Sequence, residues 1–144
     1  MKENVPLIVL PLDKKVAIKE VNTTDECVSI IFENDYRIIF RTEHNPDCCE
    51  YVYGDFQIFK ESNLVGRTFK NIEIKGIPDM GILFCFNNSS SHFEKLAVFC
   101  YNEQNGYYSS NLDLEIIEQD PHVQEKMHKH TVINVSAYVE DRIC

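Results

Sequence analysis

At 144 residues the chain has the length of one domain, enough to bury a core without disulfides or metals. Its 44% hydrophobic and 26% charged residues are ordinary for a globular protein. The formal net charge of −9 argues against a nucleic-acid polymer as partner, because domains that hold one present a basic face.

The apolar run Val5–Leu12 is broken by Pro6 and Pro11. It is too short for a secretory signal, and no stretch approaches the roughly 20 apolar residues that span a bilayer. A cytoplasmic location with no membrane partner is therefore expected. Cys27, Cys48, Cys49, Cys85, Cys100 and Cys144 are then expected to be free thiols.

In chain order, Val5–Leu10 reads as an edge strand or a strand entry because of Pro6 and Pro11. Lys14–Val21 alternates as a strand and ends at the turn cluster Asn22–Asp25. Cys27–Phe32 and Tyr36–Arg41 are β-rich runs separated by Glu33-Asn34-Asp35, the pattern of a hairpin. Glu50–Tyr53 resumes as a strand after the break at Pro46. A short helix is expected over 57–65, with Gly66 just beyond its end. Phe69–Ile74 alternates, and the unbroken apolar run Ile82–Phe86 suits a central strand buried on both faces. Phe93–Tyr101 and Leu112–Ile117 are further strands. Asp120-Pro121 signals a second helix running to about Lys129. Thr131–Val139 closes the chain as one last strand. The expected class is α+β, mostly antiparallel sheet of seven to nine strands with one or two short helices, in a single domain over 1–144.

The densest chemistry lies in the stretch from Glu43 to Gly54, which holds His44, Asp47, Cys48, Cys49, Glu50, Tyr51 and Tyr53. A possible counterpart follows downstream as Asn105-Gly106-Tyr107-Tyr108-Ser109-Ser110. Tyr51, Tyr53, Tyr107 and Tyr108 offer flat stacking faces with polar tips. Arg41 and Arg67 are nearby arginines whose forks suit phosphate, and His44, Asn105 and Ser109 add polar edges. A small nucleotide-like ligand is the expectation from that set; ordinary caps on a sheet are the alternative.

The vicinal pair Cys48-Cys49 is a poor zinc chelator without a CxxC partner, and His122, His128 and His130 do not share one helical face. No metal and no cofactor are expected. The chain carries no HExxH, P-loop, GxGxxG or GxSxG motif. The one enzymatic alternative uses Cys48 or Cys49 with His44 or His92 as base and Asp47 as orienter. It must work against the negative field of Glu43, Asp47 and Glu50.

The segments Asp47-Cys48-Cys49-Glu50-Tyr51-Val52, Leu64-Val65-Gly66, Asn105-Gly106-Tyr107-Tyr108-Ser109 and Leu112-Asp113-Leu114-Glu115-Ile116 resemble a small family of phage and prophage proteins of unsettled function. The likeness spans about residues 40–117. It departs at Phe56–Lys60, where that family carries an acidic, leucine-containing helix. The resemblance implies a phage accessory protein in an infected or lysogenic bacterial host, and it implies no enzyme. In that setting two functions are expected. The first is a non-enzymatic sponge that sequesters a cyclic-ADP-ribose-like or cyclic-oligonucleotide immune signal. The second is a protein–protein inhibitor of a host or defence factor, acting through a sheet edge. The strand edges also suggest a homo-oligomer, dimer or larger.

Overall fold

Residues whose apolarity alternates with period two must lie in sheets with one face buried, and this rule accounts for most of the molecule. A computed structural model of the chain describes residues 6–43, 50–88, 93–104, 111–124 and 128–141. It contains strands β1 Ile8–Pro11, β2 Ile18–Thr23, β3 Cys27–Phe32, β4 Arg37–Glu43, β5 Glu50–Gly54, β6 Asn71–Ile77 and β7 Gly81–Asn87. These are followed by β8 Phe93–Gln104, β9 Asn111–Gln119, β10 Lys129–Ser136 and β11 Tyr138–Asp141. A single helical turn, α1, covers Ile58–Glu61.

Two sheets form. One has five strands in the order β10-β9-β4-β3-β2, all antiparallel. The other has six, running β1-β6-β7-β8-β11 with β5 also paired to β8. Strand β8 is the hub of this sheet. Its first half pairs with β7, and its second half pairs antiparallel with β5 and parallel with β11. Cys100 donates its N–H to Met80 at 2.8 Å, whereas the carbonyl of Phe99 accepts from Asp55 at 2.9 Å. The carbonyl and N–H of one trans peptide point to opposite edges of a strand, so β5 lies across β8 from β7.

The two sheets close on one apolar core. Ile72, Ile74, Phe84, Phe86 and Val98 from one sheet meet Val28, Ile30, Ile38, Phe40, Leu114 and Ile116 from the other. Phe40 and Phe84 touch across the interface with ring centroids 4.9 Å apart. Phe59, carried by α1, wedges between them at 6.5 and 5.2 Å. Edge-to-face rings of this kind add about 0.5–1.5 kcal/mol beyond the area they bury.

The mostly antiparallel β class is what the periodicity predicted, and the β3–β4 hairpin forms around Asp35 at φ 68°. Among the described residues the strand count is higher than expected, at eleven. The final run is two strands: it leaves the five-stranded sheet at Ser136, passes through fully buried Ala137, and enters the six-stranded sheet at Tyr138. The helix expected over 57–65 is one turn, closed by Ser62 in extended geometry. Gly66, at φ 87°, belongs to a separate turn. No helix occupies the described part of 120–129. The Asp120 carboxylate accepts the His122 N–H at 2.9 Å and makes a turn, and Lys129 already pairs with Glu118. Among the described residues no helix is long and apolar enough to cross a membrane.

The hub depends on close approach at one glycine. Gly81 has φ 148°, and a Cβ there would lie 2.2 Å from the Val98 carbonyl oxygen and 2.9 Å from the Cys100 nitrogen. Gly76 differs: its Cβ would meet only the Leu7 side chain, at 3.6 Å. Gly81→Ala should therefore destabilise the protein by well over about 1 kcal/mol, while Gly76→Ala stays within about 0.5 kcal/mol of wild type. Urea denaturation midpoints of the two variants measure this directly.

Candidate functional site

A strand that buries alternate residues must present the others outward. On β5, Val52 is buried and Tyr51 and Tyr53 face out. On β8, Val98, Cys100 and Asn102 are buried, which turns Phe99, Tyr101 and Glu103 out. On β11, Tyr138 pairs with Tyr101, and Glu140 pairs with Glu103. Tyr53 is opposite Tyr101 and Tyr51 is opposite Glu103 from the other edge.

These registers assemble a tyrosine row across three strands. Tyr51 stacks on Tyr53 with centroids 5.2 Å apart, Tyr53 on Tyr101 at 5.0 Å, and Tyr101 meets the edge or face of Tyr138 at 6.4 Å. Tyr51, Tyr53 and Tyr101 floor an open groove of about 540 Å³, rimmed by Asp25, Asp55, Glu103 and Glu140. A second, almost wholly apolar recess of about 320 Å³, formed by Met80, Phe99, Tyr101 and Tyr138, adjoins it at Tyr101. Phe99 is 38% exposed, Met80 45% and Tyr138 54%, so these are surface side chains rather than core.

Of the residues singled out from sequence, Tyr51 and Tyr53 are brought together here. Arg41 is not with them. It points outward from β4, on the far side of the sandwich, because it follows the core residue Phe40. There its Nε and Nη2 hold both oxygens of Glu115, at 3.1 and 3.0 Å, and His130 Nδ1 approaches the same carboxylate at 3.4 Å. Arg67 is engaged elsewhere too. Its Nη1 donates to Glu94 at 2.6 Å and to the Asn63 carbonyl at 3.2 Å, and its guanidinium lies over Phe69 at 5.0 Å. Glu94 and Tyr101 are seven positions apart on β8, roughly 23 Å along the strand. The phosphate clamp expected from Arg41 and Arg67 beside Tyr51 and Tyr53 is therefore not assembled. Outward geometry commits Arg41 to the other sheet, and Glu94 draws Arg67 to the far end of β8.

His44, Asp47, Cys48, Cys49, Asn105, Gly106, Tyr107, Tyr108 and Ser109 lie outside the described residues, as does the side chain of Glu50. Their anchors are described. Glu50 pairs with Gln104 and Glu43 with Asp113. The described thiols are unsuited to nucleophilic work: burial raises the pKa of Cys27, Cys85 and Cys100, the last to about 12. Among the described residues no group of three or more His, Cys, Asp and Glu side chains is placed to hold a metal ion.

Sequence reasoning passed over Tyr101, Tyr138, Phe99, Glu103 and Glu140. The signal was present for two of them. In Phe93–Tyr101 both alternating sets are apolar near the end, yet among the described residues no third layer covers Phe99 and Tyr101. No family model matches the chain, and no curated protein or solved structure matches it either.

The packed rings leave a measurable mark. Burial, then the carboxylates of Glu140 and Glu103, push the Tyr53 hydroxyl up to about 12. An acid whose pKa rises on folding contributes stability below its unfolded value, about 10 for tyrosine, and loses it as pH climbs toward about 12. Alkaline absorbance titration of Tyr53→Phe should lack that late-ionising component. Glu103→Gln with Glu140→Gln should lower it only part of the way, because burial is the larger cause. Loss of an ordinary tyrosine transition in Tyr53→Phe would contradict this assignment.

Proposed function

We propose that this chain is a binding protein with no catalysis of its own, and that the tyrosine face of the six-stranded sheet is its contact surface for a protein partner. The observation that carries this is the row Tyr51–Tyr53–Tyr101–Tyr138, held in contact across three strands on an outer face where the core does not use it. Large, stiff, amphipathic rings lose little entropy on binding, and tyrosine, phenylalanine and methionine are enriched at protein interfaces. The contact differs from a strand-edge mode because it uses the sheet face. The resemblance to phage and prophage proteins adds a setting, in which the partner is a host or defence factor.

Nucleotide sequestration is the second reading. Stacked rings such as Tyr51 and Tyr53 favour it, since every base has a flat face. The acidic rim disfavours it, because Asp25, Asp55, Glu103 and Glu140 would repel phosphate where the expected arginines are absent. The homo-oligomer remains part of the proposal through β1 and β10, which are edge strands among the described residues.

Site-resolved photo-crosslinking separates the readings. A photoreactive residue placed at Tyr51 or Tyr138 should give one discrete protein adduct in bacterial cells. The same residue at Val132, 53% exposed on the opposite sheet, should give none. Equal adducts at all three positions, or a melting-temperature rise of several degrees with a nucleotide or cyclic nucleotide, would overturn the protein-partner reading.

A further inference from the structure

The tyrosine face is two surfaces joined at Tyr101, and each constrains what can bind. At one end Met80, Phe99 and Tyr138 form a recess lined almost entirely by apolar atoms. It suits an aliphatic or aromatic anchor, since burying such a side chain is favourable only against apolar walls. At the other end the groove brings Asp25, Asp55, Glu103 and Glu140 around Tyr51 and Tyr53, with no basic side chain among the described residues that line it. None of these four carboxylates forms an ion pair within the described chain. Carboxylates beside ring faces are the two features that favour a guanidinium or ammonium group, through charge-assisted hydrogen bonds and cation–π attraction.

Resting on the protein-partner reading above, we infer that the occupant is a basic, amphipathic protein segment: an apolar side chain seats in the Met80–Phe99–Tyr138 recess while a neighbouring arginine or lysine lies over Tyr51 and Tyr53 between Glu103 and Glu140. Charge complementarity selects this occupant over the others. A second copy docking through the same face would oppose four carboxylates with four more. The net charge of −9 adds long-range repulsion to that contact. Phosphate-bearing ligands meet the same repulsion. Arginine is the better match of the two cations because its plane stacks on rings while its fork spans a carboxylate.

The probe is a fluorescein-labelled peptide of alternating leucine and arginine, with leucine–glutamate and all-serine–arginine peptides as controls, read by polarisation. The leucine–arginine peptide should bind, and the leucine–glutamate peptide should not. The serine–arginine peptide should bind about tenfold more weakly for want of an anchor. Glu103→Gln with Glu140→Gln should weaken the leucine–arginine complex about tenfold. Glu20→Gln with Glu33→Gln removes the same charge from exposed positions near Lys19, away from the groove, and should change it less than about threefold. Unchanged melting midpoints verify that both double variants are folded. Equal weakening by the two variants would reduce the effect to general charge attraction and overturn the inference. So would tight binding of the leucine–glutamate peptide, or a concentration-dependent dimer abolished by Tyr138→Asp. If crosslinks from Tyr51 and Tyr138 still reach one protein while the peptide arms fail, the partner reading stands and the basic chemistry falls.

Discussion

The structure depends on the register of β8. This one strand pairs with β7, β5 and β11, and its alternation decides what faces the core and what faces outward. A slip by one residue would send Tyr101 and Glu103 into the apolar layer and bring Val98 and Cys100 out. The apolar layer itself resists this. Val98 and Cys100 lie in the same buried cluster as Phe40, Phe84 and Phe59. The close approach of Gly81 to the Val98–Cys100 backbone fixes where β7 begins against β8. Strand β11 can then take its place only because buried Ala137 lets the chain pass from one sheet to the other in a single residue.

The outer face follows from that register. Tyr51 and Tyr53 share a face because they are two apart on β5, and their cross-strand partners are Glu103 and Tyr101. The row is extended to Tyr138 by the parallel β11–β8 pair. Its acidic rim and its apolar recess are thus products of one pairing pattern, which is why their chemistry is continuous across Tyr101.

Much of the fold is legible in the sequence because two-residue periodicity is a local property. Cys27–Phe32, Glu50–Tyr53 and the central run Ile82–Phe86 could each be recognised without knowing their neighbours. The misses have physical causes. Phe56 and Phe59 have helical spacing, yet extended Ser62 halts the helix after one turn and Phe59 serves as an aromatic wedge. Asp120-Pro121 is a sound helix start, but the pairing of Lys129–Ser136 with β9 makes it a turn. The division of Thr131–Val139 between two sheets is set by tertiary packing at Ala137, which leaves no trace in periodicity. Half of the tyrosine row was visible as the Tyr51–Tyr53 pair. Tyr101 and Tyr138 come from residues distant in sequence, and only pairing registers could join them. The same holds for Arg41, whose direction is fixed by Phe40 beside it and by Glu115 across the strand.

We have proposed the tyrosine face as the surface that meets a partner. Tyrosine iodination mapped by mass spectrometry, on the chain isolated with its bound material and again after that material is stripped, tests it most directly. Tyr51 and Tyr138 should label readily in the stripped chain and be protected in the complex, while Tyr36, which donates to Glu118 of the five-stranded sheet at 3.0 Å, should label alike in both. Protection that spares Tyr51 and Tyr138 would contradict it and move the contact to another part of the sandwich.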